Sequence, residues 1–228
     1  MAIVLMSVAI VTSTTFLQDV KGSISLDNSN KKQPLTHFIQ VCCTWGHKLT
    51  NGTLTYKIIG ADIVTQQAVK NAINKWNTKL KAIKITETKS HPDIEVNFNP
   101  IAQNIDGSIG AETTSAGHTL RNSVTAGQSV NNFDENGFIT SVRISISRSA
   151  FGSTLSLNKI EQLTEHEIGH ALGLGHANFN GDLMSVVVSG KSGSVSKCDI
   201  NAIMEANQWK LIESSNIPHD PVVDHINC

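Results

Sequence analysis

The stretch HEIGHALGLGH, His166 to His176, sets three imidazoles and a carboxylate among Ile168, Ala171, Leu172 and Leu174, residues that belong in a core. On an α-helix His166 and His170, four residues apart, project from the same face about one turn apart. Two rings so placed can reach one zinc ion at about 2.0–2.1 Å. Glu167 then lies on the adjacent side of the helix, near enough to reach water held at that ion without competing for it. A third ligand must approach from another direction. Gly173, three residues past His170, can adopt the left-handed conformation that ends a helix, and the turn brings His176 back. Three neutral histidines leave one corner open for water. The pattern H-E-x-x-H-x-x-G-x-x-H thus predicts one zinc at His166, His170 and His176, with Glu167 as general base. A lone histidine on an apolar face is more often a satisfied core residue, but a pattern that fixes five positions by type leaves little room for that account.

Composition bounds the rest. The chain has 228 residues, 39% of them hydrophobic, and a formal net charge of −1. That size holds one well-buried domain with extensions. No basic footprint is present, which argues against a nucleic-acid partner. The opening MAIVLMSVAIV is apolar, about as long as a signal-peptide h-region and too short to span a bilayer. Four cysteines agree with export. Neighbouring Cys42 and Cys43 rarely bond each other, so each is expected to pair with Cys198 or Cys228, with both connectivities open.

Periodicity gives the elements. Tyr56–Ile59 reads as a strand ending at Gly60. Val69, Ala72, Ile73, Trp76 and Leu80 share one helical face with Lys70, Asn71, Lys75 and Lys79 opposite, a long amphipathic helix lying on a sheet. Strands follow at 83–86 and 93–98, and a third in FITSVRISIS (138–147) alternates regularly from Val142. Residues 99–136 carry few large apolar groups and read as a functional loop, with a strand only around Ile109–Thr113 and a turn at FDENG (133–137). Asn158 and Glu161, in capping-box spacing, predict the start of a helix through Ile160, Leu163, Ile168 and Ala171 that ends near Gly173. Ser196 and Asp199 repeat that signal for a last helix.

With these residues the chain resembles the metzincin clan of zinc endopeptidases, and within it the matrixins. Met184 in GDLMS, eight residues past His176, matches the methionine that metzincins place in a tight turn beneath the metal. LTYKI with the helix ending at Trp76, HPDIEVNF, and CDINAI extend the likeness over roughly residues 50 to 210. The resemblance implies an α+β zincin fold: a mixed twisted sheet of about five strands with an active-site helix, a backing helix and a C-terminal helix. It implies a zinc-dependent endopeptidase acting on extended protein or peptide substrates. By the same resemblance an edge strand near Ile109–Thr113 binds substrate, and Val186, Val187 and Val188 wall a pocket for an apolar side chain just after the cut bond. The chain then divides into a signal peptide or N-terminal anchor (1–18), a polar spacer (19–48), the zinc metalloprotease domain (49–212) and a C-terminal tail (213–228). It is expected to be a monomer, secreted or anchored outside the cytoplasm, with the N-terminal anchor as its one route to a membrane.

The departures from the family pattern carry their own expectations. No H-x-D segment precedes the active-site helix and only His118 stands in that loop, so no second, structural zinc is expected. Asp134 and Glu135 offer a calcium site, although a surface turn is the simpler account. The latency motif P-R-C-G-x-P-D is absent, leaving Cys42 or Cys43 as a thiolate cap on the zinc only as an alternative to the disulfides. Ala177 stands where matrixins commonly have Ser. The rival reading is a catalytically inactive metzincin-fold binding module, against which the intact Glu167 argues.

Overall fold

The computed structural model describes residues 36–98, 126–150, 153–186, 188, 193–207 and 225–228. In chain order the elements are β1 (Phe38–Val41), β2 (Thr53–Ile59), α1 (Ile63–Lys79), β3 (Lys84–Glu87), β4 (Ile94–Asn97), β5 (Gly127–Phe133), β6 (Ile139–Ile146), the short pair β7 (Ser149–Ala150) and β8 (Ser153–Thr154), α2 (Leu157–Ala171), β9 (Leu174–Ala177), α3 (Lys197–Ala206) and β10 (His225–Asn227). The main sheet has the order β3-β2-β4-β6-β5. Its first four strands are parallel, and β5 pairs antiparallel with β6 at the end of the row. This is the mixed five-stranded α+β arrangement that the resemblance implied.

Local chemistry explains the helices. Asp62 caps α1 by accepting from the Thr65 amide at 2.8 Å. The buried face of α1 holds Ala68, Val69, Ala72, Ile73 and Trp76, and packs on α2. Burying each large apolar side chain contributes about 1.5–3 kcal/mol. At α3 the capping box forms in both directions, Ser196 to the Asp199 amide and Asp199 to the Ser196 amide. The sequence signal at 196–199 reads directly into structure there.

Three expectations need correction. The folded unit reaches back into the expected spacer: β1 lies within 19–48, and Ile39 and Trp45 there are fully buried. A second sheet, β10-β1-β9, is wholly antiparallel, so the expected tail ends in a strand whose Ile226 faces Ile39. The cysteines do not cross-link start to end: Cys42 bonds Cys43, and Cys198 bonds Cys228. The cause is the second sheet. β10 brings Cys228 beside the first turn of α3, with 5.4 Å between the Cα atoms of Cys198 and Cys228, within disulfide reach. Residues 1–18 and the segment Ile109–Thr113 lie outside the described residues.

Candidate metal centre

Helix α2 is placed by its buried polar side. It begins at Ser156, whose side chain accepts from the Lys159 amide, two residues before the Asn158 cap that spacing predicted. Glu161 serves no capping box, because Lys75 on α1 holds its carboxylate at 2.8 Å. Lys75 also reaches Glu165 at 2.8 Å, and Glu165 Oε1 accepts the Val195 amide at 3.0 Å. The indole of Trp76 donates to the Glu165 carbonyl at 2.9 Å, and the indole of Trp45 to that of Ala171 at 2.8 Å. Two fully buried tryptophans therefore pin α2 at successive points.

The helix stops at Leu172, and Gly173 takes φ +101°. A Cβ there would sit 2.2 Å from the Cys43 carbonyl oxygen, so space and backbone both demand glycine. The Gly173 carbonyl accepts the Cys42 amide at 2.9 Å, which ties the elbow to the segment after β1. β9 then runs antiparallel to β1, with Val41 opposite Leu174 and Ile39 opposite Ala177, and carries His176 back toward the helix.

One potential ligand atom from each of His166, His170 and His176 lies within 4.8 Å of the other two. The His166 ring places Nδ1 2.7 Å from the Leu183 carbonyl, and the His170 ring places Nδ1 2.8 Å from the Leu174 carbonyl. A carbonyl only accepts, so each Nδ1 carries the hydrogen and each Nε2 presents a lone pair. Those two Nε2 atoms face each other at 3.0 Å. Two lone pairs at that distance repel unless a cation lies between them, and two nitrogens on a tetrahedral zinc stand about 3.3 Å apart. The residues therefore fit a zinc ion. Burial, reinforced by the neighbouring His170, holds the His166 ring far below the usual histidine range, at about 3. Burial also pushes His176 down. Both rings are neutral, the state a metal ligand needs.

A family model described as Matrixin matches residues 44–207. The chain belongs to the matrixin family. Matrixins are zinc-dependent metalloproteases acting on protein or peptide substrates, and are typically secreted or extracellular. No curated protein matches the sequence. Among the described residues of this matrixin, no helix is long and apolar enough to cross a membrane.

Beneath the helix of this matrixin lies a tight turn around Met184, which is fully buried. Its amide donates to Asp182 Oδ1 at 2.8 Å, and its carbonyl accepts the Ala177 amide at 2.8 Å. The Met184 sulfur packs on Gly169, between His166 and His170: a Cβ on that glycine would stand 2.4 Å from Sδ. The same turn supplies the Leu183 carbonyl that orients His166. Val186 is half-buried just past the turn, the Val188 carbonyl accepts from Lys159 Nζ, and Val187 lies outside the described residues. Asp134 Oδ1 is engaged by the Asn136 and Phe138 amides, both at 2.9 Å, which makes it a turn residue of the β5–β6 hairpin.

Glu167 is buried, and strand β5 lies against it. Ser129 Oγ stands 2.8 Å from Glu167 Oε2. β5 falls inside the segment 99–136 that the sequence reads as a loop, while Ile109–Thr113, the edge strand expected from the resemblance, lies outside the described residues. The strand reads GQSVNNF, with no apolar alternation, because the side chains it turns toward α2 are small or polar and its large ones, Val130 and Phe133, are exposed.

Proposed function

We propose that this matrixin is a zinc-dependent endopeptidase that hydrolyses peptide bonds in extended protein segments, with Glu167 as general base. The observation that supports it best is the convergence of three imidazoles, each with a potential ligand atom within 4.8 Å of the other two, and a buried carboxylate one residue along the helix from the first of them. His166, His170 and His176 would hold one zinc. When bound there, zinc supplies a Lewis acid that polarises the scissile carbonyl and makes water a better proton donor. Glu167 takes the proton of the attacking water and passes it to the leaving amine. Among the described residues β5 is terminal in the main sheet, and it lays out substrate through backbone hydrogen bonds. Met184 supports the rings from below, and Val186 to Val188 wall the pocket for the residue after the cut. Export fits the paired cysteines, with residues 1–18 as signal peptide or anchor, and the working form is a monomer.

The test is Glu167→Ala assayed on casein with zinc content measured in parallel. The expected result is retained zinc with turnover lower by about a thousandfold or more, within the range general-base and electrostatic losses reach. Retained turnover in that variant removes Glu167 from the mechanism. The inactive-module alternative predicts that the wild-type protein itself leaves casein intact.

A further inference from the structure

Glu167 is the second residue of the motif, and two residues of β5 face its carboxylate. Ser129 Oγ lies 2.8 Å from Oε2 and 3.1 Å from the Glu167 backbone carbonyl. A hydroxyl carries one hydrogen, and the carboxylate oxygen is the nearer of the two acceptors. Gly127, two residues earlier on the same side of the strand, leaves space for the other oxygen: a Cβ there would stand 2.5 Å from Oε1. One residue pulls on one oxygen, and the other makes room for its twin.

We propose that Ser129 is a positioning residue that fixes the rotation of the Glu167 carboxylate, with Gly127 providing the clearance, so that the strand guiding substrate also aims the base. The proposal rests on the reading of Glu167 as general base. Its physical content is orientational. A carboxylate about four bonds from the backbone can sweep through several rotamers, and a misplaced base costs rate without changing substrate contact. β5 is held by β6 along its inner edge, with Ser129 opposite Ile144 and Gly127 opposite Ile146. The serine is therefore anchored by the sheet, and its grip on Glu167 couples sheet register to the reacting geometry.

The test uses the full zinc-loaded protein and three variants. Ser129→Ala is expected to lower kcat about tenfold with KM within twofold and zinc content unchanged, while Ser129→Thr, which keeps the hydroxyl, restores at least half of kcat. Gly127→Ala is expected to lower kcat further, because the added methyl displaces Oε1. In the zinc-free protein, the 13C-carboxyl resonance of Glu167, identified by its loss in Glu167→Gln, should shift in Ser129→Ala and return in Ser129→Thr. A Ser129→Ala enzyme with kcat within twofold of the parent overturns the proposal. So do equal losses in the Ala and Thr variants, which would assign the serine to packing. A Glu167→Ala protein that still turns over casein fails the base assignment instead, so the two failures are told apart.

Discussion

Trp45 donates its indole N–H to the carbonyl oxygen of Ala171 at 2.8 Å, across 126 residues of sequence, two residues before the elbow that redirects the chain toward His176. Trp45 is fully buried, and its backbone amide is held in turn by Asn207 Oδ1 at 3.3 Å, at the end of α3. The segment after β1 therefore fastens the last turn of α2 to the C-terminal helix. Trp45→Phe keeps much of the ring volume but removes the donor from a buried carbonyl. Urea unfolding should show a loss of about 1–3 kcal/mol. No change in the midpoint would mean the carbonyl finds another donor.

Gly173→Ala should be worse than its size suggests. The backbone sits at φ +101°, where an L side chain is strained, and the new methyl would meet the Cys43 carbonyl at 2.2 Å. The chain must shift to relieve both, and His176 moves with it. Zinc affinity is expected to fall at least a hundredfold by chelator competition, with the main sheet preserved by circular dichroism. Unaltered affinity would separate the elbow from ligand placement.

The disulfide between Cys198 and Cys228 closes a loop of sequence separation 30, tying β10 to α3. Loop-closure entropy for that length corresponds to about 3–4 kcal/mol. Replacing both cysteines by serine should lower stability by that order and expose the β10 amides to hydrogen exchange first. A variant as stable as the parent would show that strand pairing alone holds the C-terminus.

Asp199 sets a pH dependence. It is fully buried, and burial with the neighbouring Asp182 carboxylate raises its pKa to about 7, against the opposing hydrogen bonds from Ser196. In the unfolded chain it ionises near 3.9. The folded state therefore binds the extra proton between those values. Stability from this group is complete below about pH 3.9 and is lost as pH rises through about 7, by about 4 kcal/mol at most. Asp199→Asn keeps an acceptor for the Ser196 amide and removes the titration. Its unfolding free energy, measured at pH 5 and pH 8, should vary less than the parent's. Parallel profiles would place the titration elsewhere.

Legibility in the sequence followed the physics of each element. The motif is readable because a metal site constrains spacing: His166 and His170 stand one turn apart, and of the two glycines before His176 it is Gly173 that takes the positive φ of the bend. α1, β4 and β6 were readable because their buried faces impose a period, and the Ser196–Asp199 box because it is local. What failed lacked a local cause. β5 meets Glu167 through Ser129 and Gly127, residues whose small size reads as loop in the sequence. Spacing to Glu161 favours Asn158 as the cap, whereas Ser156 caps the helix and Glu161 pairs with Lys75, a tertiary partner that no local pattern shows. Trp45 has no local pattern that names its partner, which lies 126 residues away. The cysteine pairing depended on β10 joining β1, a contact between the two ends of the described chain.

The proposed chemistry needs a single ion that His166, His170 and His176 would hold, with one position left to solvent. Zinc K-edge X-ray absorption on the purified protein tests this most directly. The expected spectrum corresponds to one zinc per chain with three nitrogen ligands at about 2.0–2.1 Å and one further light atom. A sulfur scatterer at about 2.3 Å, which would place Cys42 or Cys43 on the metal, or substoichiometric zinc that the loss of His176 leaves unchanged, would contradict it.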